Sequence, residues 1–352
     1  MKFSRGGLGF RKLSVKTLGF SVLGVIAANA FMATAAQAAE VNVYSARQQE
    51  LIKPLLDKFS AETGVKVNLI TGKPDELLTR IRQEGRNSPA DVLLSTDVGR
   101  LYRAKELSLL QPLASTQLTG QIPAQYRDPT NLWFGLTMRA RPILYVPSKV
   151  QPQELSTIEN LADAKWRGRI CIRSSDNVYN QSMVAGLIAS LGAEATAQWA
   201  SDFAKNFAQP PKGGDRDQIK AAAAGVCDIA IANTYYLAAM LEDPKDKAAA
   251  SAVKVFWPNQ QDRGTHVNIS GAAVLKHAPN KSQAQQLLEY MVSPQAQQWY
   301  AEVNHEYPVV AGVATSPLLQ SFGTFKADTA SLDKLGALNQ QALMLMDKAG
   351  WK

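Results

Sequence analysis

Short apolar strands alternate with helices of three- and four-residue period from Val41 onward, and that alternation leaves few folds open. Residues 41–44 read as a strand. Ser45 is placed to cap a helix whose apolar positions Leu51, Ile52, Leu55, Leu56 and Phe59 share one face, and Gly64 ends it. A strand over 65–70, a helix over 75–83, a strand over 91–94 and a helix over 98–105 follow. This βαβαβ opening predicts an α/β protein built on parallel sheets.

Strand-like runs over 133–136 and 143–146 flank Arg139-Ala140-Arg141-Pro142, the expected first crossing into a second lobe. That lobe reads as a strand over 169–173, a helix over 181–191, an amphipathic helix around 195–207 and a Pro/Gly-rich turn at 210–214. A helix over 217–224 and a strand over 228–232 complete it. Strands over 267–269 and 272–275 return to the first lobe, and a helix covers 332–347. The expected division assigns 39–138 and 266–315 to one lobe, 139–265 and 316–352 to the other. Two extended crossings allow such lobes to hinge.

The first 38 residues stand apart. Lys2, Arg5, Arg11, Lys12 and Lys16 precede an apolar stretch over 18–33, and Ala36-Gln37-Ala38 is a small-residue cleavage pattern. A cleaved signal peptide over 1–38 is expected in preference to a retained anchor. Arg11-Lys12 only loosely resembles a twin-arginine signal, so ordinary secretion is expected, and no lipobox cysteine closes the segment. Removing its five positive charges takes the formal charge from +8 to +3, so the basic balance is largely the signal's. No basic face interleaved with aromatics remains to suggest nucleic-acid binding. No later segment holds 18 consecutive apolar residues, and a soluble monomer is expected. Cys171 and Cys227 lie in or beside strand-like runs, which neighbouring parallel strands can bring within bonding distance. Export favours a disulfide, with two buried thiols as the alternative.

The candidate site begins with Tyr235-Tyr236. They follow the strand over 228–232, where Asn233 and Thr234 can stop the strand and cap a helix over 235–242. Side chains at such a junction face the crevice beyond the carboxyl ends of the strands. Tyr179 stands at an equivalent strand-to-helix turn within 173–182. Three phenolates on one rim would neutralise a hard trivalent cation such as Fe(III). Softer metals prefer Cys, Met or several His, and the three histidines here, His266, His277 and His305, are not paired in sequence. The bland alternative is that the rings line a core or a cleft wall.

At these residues the chain resembles the periplasmic ferric iron-binding proteins of ABC iron importers, the Fbp/Fut group. The resemblance runs through Val43-Tyr44-Ser45-Ala46-Arg47, Ser88 to Leu94, Arg173 to Ser182, Ala232 to Tyr236 and Gly264 to Gly271. It implies a two-lobed, transferrin-like or Venus-flytrap fold that closes on Fe(III). Tyr179, Tyr235 and Tyr236 would be the phenolate ligands, and an inner-membrane ABC permease the partner. Where cyanobacterial relatives continue with His-Tyr after the arginine, this chain has Gln48 and Gln49. The resemblance to three-tyrosine members then implies carbonate, another small anion or water in the open positions. Arg47, expected in the first turn of its helix, is the candidate anion holder, with a solvated surface arginine as the alternative. Some relatives carry a helpful arginine four residues past the tyrosine pair. That position is Met240 here.

Other candidates are weaker. Tyr44 is expected to pack inward, Arg103 and Arg141 to be ordinary exposed arginines with a place facing the cleft as the alternative, and His266 to be a hydrogen-bonded hinge residue. Enzyme motifs of the Gly-x-Ser-x-Gly, His-Glu-x-x-His or Cys-x-x-Cys kind are missing, and Pro74 spoils the phosphate-loop likeness of Gly72-Lys73. The alternative function is binding of another solute, such as a polyamine, thiamine or an oxyanion.

Overall fold

In the structure, a computed structural model that describes residues 39–352, the chain begins as expected. Strand β1 (Glu40–Ser45), helix α1 (Lys53–Thr63), strand β2 (Lys66–Thr71), helix α2 (Pro74–Glu84), strand β3 (Val92–Ser95) and helix α3 (Val98–Glu106) come first. The expected signal segment over 1–38 lies outside the described residues. Helix α1 starts later than Ser45 suggests, because Pro54 sits in its first turn, where a missing N–H costs nothing. Ser45 instead accepts from the backbone N–H of Arg47 at 3.1 Å, so Arg47 and Gln48 lie on an irregular segment ahead of a short 3-10 turn.

After helix α4 (Thr116–Gln121), strand β4 (Phe134–Ala140) leads across Arg141-Pro142 into β5 (Ile143–Tyr145). Strand β6 (Ile170–Cys171), helices α5 (Val178–Leu191), α6 (Ala193–Ala204) and α7 (Asp215–Ala223) and strand β7 (Ile229–Ile231) follow. Then come helices α8 (Thr234–Glu242) and α9 (Lys247–Ser251) and strands β8 (Lys254–Phe256) and β9 (Val267–Val274). Helices α10 (Lys281–Met291) and α11 (Pro294–Val303), strand β10 (Tyr307–Pro308) and helices α12 (Pro317–Gln320) and α13 (Leu332–Lys348) complete the chain.

Two mixed sheets result, ordered β10-β4-β9-β3-β1-β2 and β6-β7-β5-β8. The expected parallel pairing holds for β2-β1-β3 and for β6-β7. The other pairs, among them those of β4 and β9 in the larger sheet and of β5 in the smaller, are antiparallel. Strand β9 runs unbroken where two strands were expected. Gly271 sits in its middle because a Cβ there would stand 2.7 Å from the carbonyl oxygen of Phe134. Strand β6 is shorter than 169–173. Beyond Cys171 the backbone is satisfied by side chains: Asn180 and Trp351 both donate to the carbonyl of Arg173, at 2.8 and 2.7 Å.

Helix α13 packs along α5 and also against α3, and Trp351 just beyond it is buried among Trp199, Phe203 and Phe207. None of the described helices is long and apolar enough to cross a membrane.

Cys171 and Cys227 form a disulfide with a Cα–Cα distance of 5.9 Å, beneath the strands that lead to Tyr179 and to Tyr235. Replacing both by alanine frees a loop of sequence separation 56. The expected cost is about 2–4 kcal/mol in a denaturant unfolding titration, and an unchanged midpoint would show that the loop is held by packing alone.

Candidate metal centre

Tyr179 is the second residue of α5, whose N-terminus is capped by Asn177 accepting from Asn180 N–H at 3.2 Å. Tyr235 and Tyr236 lie in the first turn of α8. Asn233 stands at the N-cap of that helix, yet its side chain does not cap it. Its oxygen is taken by Arg141, at 3.0 Å.

Arg141 is not the surface residue that was expected. It is buried, and its guanidinium reaches Asp215 at 2.9 Å, Asn233 at 3.0 Å and Asn180 at 2.5 Å. Asp215, equally buried, also accepts from Asn233 N–H at 3.2 Å and from Arg173 at 3.0 Å. One ion pair therefore grips the residue after Tyr179 and the turn before Tyr235-Tyr236.

The three tyrosines meet. The hydroxyl of Tyr235 donates to that of Tyr179 at 3.2 Å, and the rings of Tyr235 and Tyr236 lie 4.2 Å apart between centroids. All three line a cleft of about 470 Å³, whose other wall includes Arg47, Gln48, Arg139, His305 and Glu306. Ala239, rather than the fully buried Met240, is the α8 residue one turn on that faces the cleft. Tyr44 packs inward and donates to Glu84 at 2.9 Å, in the structural role expected of it. Arg103 is exposed and paired with Asp75. His266 is half-buried just before β9, and desolvation, then the charge of Arg141, pushes its pKa down to about 3.

Arg47 does reach the cleft, although one of its nitrogens is committed: it donates to both oxygens of Glu306 at 2.8 Å and to Ser270 at 2.6 Å. Burial opposes charge on Glu306, but Arg47, Arg139 and the hydroxyl of Thr137 outweigh it and hold this carboxyl below its usual range. Arg139 carries its guanidinium 5.0 Å above the ring of Tyr179, anchored by Ser270 at 2.9 Å and the carbonyl of Ile269 at 3.0 Å.

Sequence reasoning took Arg139 for part of a crossing and passed over Glu306. A usable signal existed for Arg139. It follows Thr137 at strand spacing inside an otherwise apolar run, and a charge there has to find a partner.

Burial, then the neighbouring phenols and Asp215, raise the pKa of Tyr235 and Tyr236 above the ordinary tyrosine range, with Arg139 pulling Tyr235 the other way. Without a cation both phenols stay protonated at neutral pH. Among the described residues no group of three His, Cys, Asp or Glu is placed to hold a metal.

Two sheets joined by crossing segments around a polar, tyrosine-lined cleft define a solute-binding protein. The family model for bacterial extracellular solute-binding proteins matches residues 55–327, and the chain belongs to that family, whose members bind solutes rather than transform them. It is 53% identical over 315 residues to iron uptake protein A1 of Synechocystis, covering 89% of this chain and 88% of that one. It is 30% identical over 348 residues to the Fe(3+)-binding periplasmic protein of Serratia marcescens, with 96% and 99% covered. Among solved structures it matches a Trichodesmium FutA protein in complex with iron and citrate ligands. The TM-score is 0.86 and the identity 52%, with 89% of this chain and all of the other covered. Apo FutA2 from Synechocystis matches with TM-score 0.85 and 43% identity over 90% of this chain and 100% of the other.

Glu306→Ala would leave Arg47 buried with its principal counter-charge gone. The expected loss is about 3–5 kcal/mol of stability in a denaturant titration. A loss under about 1 kcal/mol would mean that water or Ser270 suffices for the arginine.

Proposed function

We propose that this protein captures Fe(III) in the cleft and hands it to an ABC importer. The observation that carries the reading is the convergence of three tyrosines, with the Tyr235 hydroxyl 3.2 Å from that of Tyr179 and the Tyr236 ring 4.2 Å from that of Tyr235. Their three negative charges match a trivalent ion, and the names and bound ligands of the relatives support the same cargo. Arg139 favours the deprotonated form of Tyr235 by Coulomb attraction.

On this reading Tyr179, Tyr235 and Tyr236 are the ligands, and Gln48 adds no strong donor from the facing wall. A small anion, carbonate in the simplest case, or water completes the shell, with the uncommitted part of Arg47 as its candidate holder. The lobes would comprise 39–138 with 266–315 and 139–265 with 316–352, hinging where the chain passes between the sheets. Iron engages the tyrosine wall first, and the other wall closes over it. Capture would take place in the periplasm, after removal of residues 1–38, and the monomeric closed form would dock on the inner-membrane permease.

Titrating chelator-stripped protein with ferric citrate, with and without bicarbonate, tests the reading. A saturable visible charge-transfer band at one iron per chain is expected, strengthened by bicarbonate if an anion fills the shell. A colourless, unsaturable titration points instead to a polyamine, thiamine or oxyanion ligand. Tyr235→Phe and Tyr236→Phe should each remove most of the binding and shift the band; unchanged affinity in both would sink the site assignment.

The sign of the pH dependence follows from the raised phenols. Metal binding displaces their protons, so falling pH favours the protonated, empty site and iron leaves as acid is added. Equilibrium dialysis along an acid titration checks this, and tight retention in strong acid contradicts it.

A further inference from the structure

Helix α8 is held at both ends. Its first turn carries Tyr235 and Tyr236, and its last residue, Glu242, meets a side chain from the opposite wall of the cleft. That partner is His305, on the turn between α11 and β10, whose Nε2 lies 3.4 Å from Oε2 of Glu242. Glu242 is largely exposed, whereas the imidazole is 6% exposed. His305 also adopts a φ of +54°, in the left-handed region that non-glycine residues enter at a cost and keep where their surroundings enforce it.

The ring's own chemistry fixes its tautomer. Nδ1 is buried without a partner. A proton there would leave an unpaired donor in the interior, while a bare lone pair is the lesser penalty. The remaining arrangement is a neutral ring with its proton on Nε2, the nitrogen that lies 3.4 Å from the Glu242 carboxylate. The two charges facing the ring are Glu242 from α8 and Glu306 from its own turn, and burial outweighs both in keeping it neutral.

His305 is covalently next to Glu306, which holds Arg47 and lies 4.0 Å from Arg139, itself stacked over Tyr179. A shift of this turn is therefore felt at the tyrosines through a short chain of contacts.

We propose that His305 and Glu242 form a catch across the cleft, which sets how firmly the two walls close and how long cargo is retained. His305 acts as a positioning residue and not as a ligand, since its Nε2 faces Glu242 and its Nδ1 is enclosed. The catch rests on the capture-and-closure reading for its purpose, but it can be tested without iron. Opening the catch leaves the phenols in place and changes only the balance between open and closed forms.

The test uses Glu242→Ala, a substitution at an exposed helix end, alongside His305→Leu, His305→Gln and the Glu242→Ala/His305→Leu double variant. Small-angle scattering on metal-free protein should show a larger radius of gyration for Glu242→Ala and His305→Leu than for the parent. His305→Gln, which keeps a donor, should restore the compact value. In the iron-loaded protein, release to an excess of a competing chelator should quicken on the order of three- to ten-fold in either single variant, as expected for losing one partly exposed polar contact to a charge. The double variant should be no faster than the worse single one, and the visible band should not move. Parent-like scattering and release in Glu242→Ala would overturn the catch, and a band shift in His305→Leu would make the ring a ligand instead. If the parent itself takes up no iron with colour, the tyrosine reading fails, while the metal-free scattering still decides whether the catch exists.

Discussion

Everything at the candidate site hangs from the buried pair of Arg141 and Asp215. The arginine belongs to the two-residue link between β4 and β5, where the chain leaves one sheet for the other. Its guanidinium is divided among Asp215, Asn233 and Asn180, and so fixes two loops that approach from different strands. Desolvating two charges largely cancels their attraction, so the pair adds little net stability. Its contribution is geometric. Neither asparagine can move without exposing a buried charge to an unmatched partner, and each asparagine sits next to a cleft tyrosine or one turn ahead of it. The link between the sheets and the geometry of the phenols are thus set by the same side chain.

The cleft is electrostatically unfinished without cargo. Arg47 is answered by Glu306, and Arg141 and Arg173 share Asp215. Arg139, however, comes no nearer than 4.0 Å to its two carboxylates and lies over the face of Tyr179. Buried phenols beside one another resist ionisation, which keeps the empty site from holding three negative charges at once. On the proposed reading a hard trivalent cation removes that resistance, because it replaces three protons by one ion of the same total charge.

Much of this was legible in the sequence because it is local. Tyr179, Tyr235 and Tyr236 each follow a strand and open a helix, and that alone directs them to a common rim. The cysteines follow the same logic, as both precede those turns at similar spacing. What escaped the sequence is non-local. Glu306 is 259 residues from Arg47 in the chain, and nothing near either residue announces the other. Arg141 was taken for a surface arginine because its partners, Asp215, Asn233 and Asn180, come from three separate elements. The start of α1 was misplaced for a different reason: Ser45 had a competing use in a turn with Arg47, and Pro54 was the better boundary marker. Helices α10 and α11 went unread, although Ala284, Leu287, Leu288 and Met291 have helical spacing and Ser293-Pro294 is a strong start signal.

The two walls of the cleft divide the work unequally, and the division has a consequence for order of events. Every phenol comes from helices that follow the smaller sheet, while Arg47, Gln48, His305 and Glu306 come from segments tied to the larger one. A wall bearing three oxygen donors can bind a bare or partly chelated cation by itself. On the proposed reading, binding begins at the tyrosine wall, and the neutralised site then shifts the balance toward the closed form. On the same reading Gln48 and Gln49 supply no strong donor, so the second wall does not compete for the ion. Retention then depends less on extra ligands than on whatever holds the walls together once they meet.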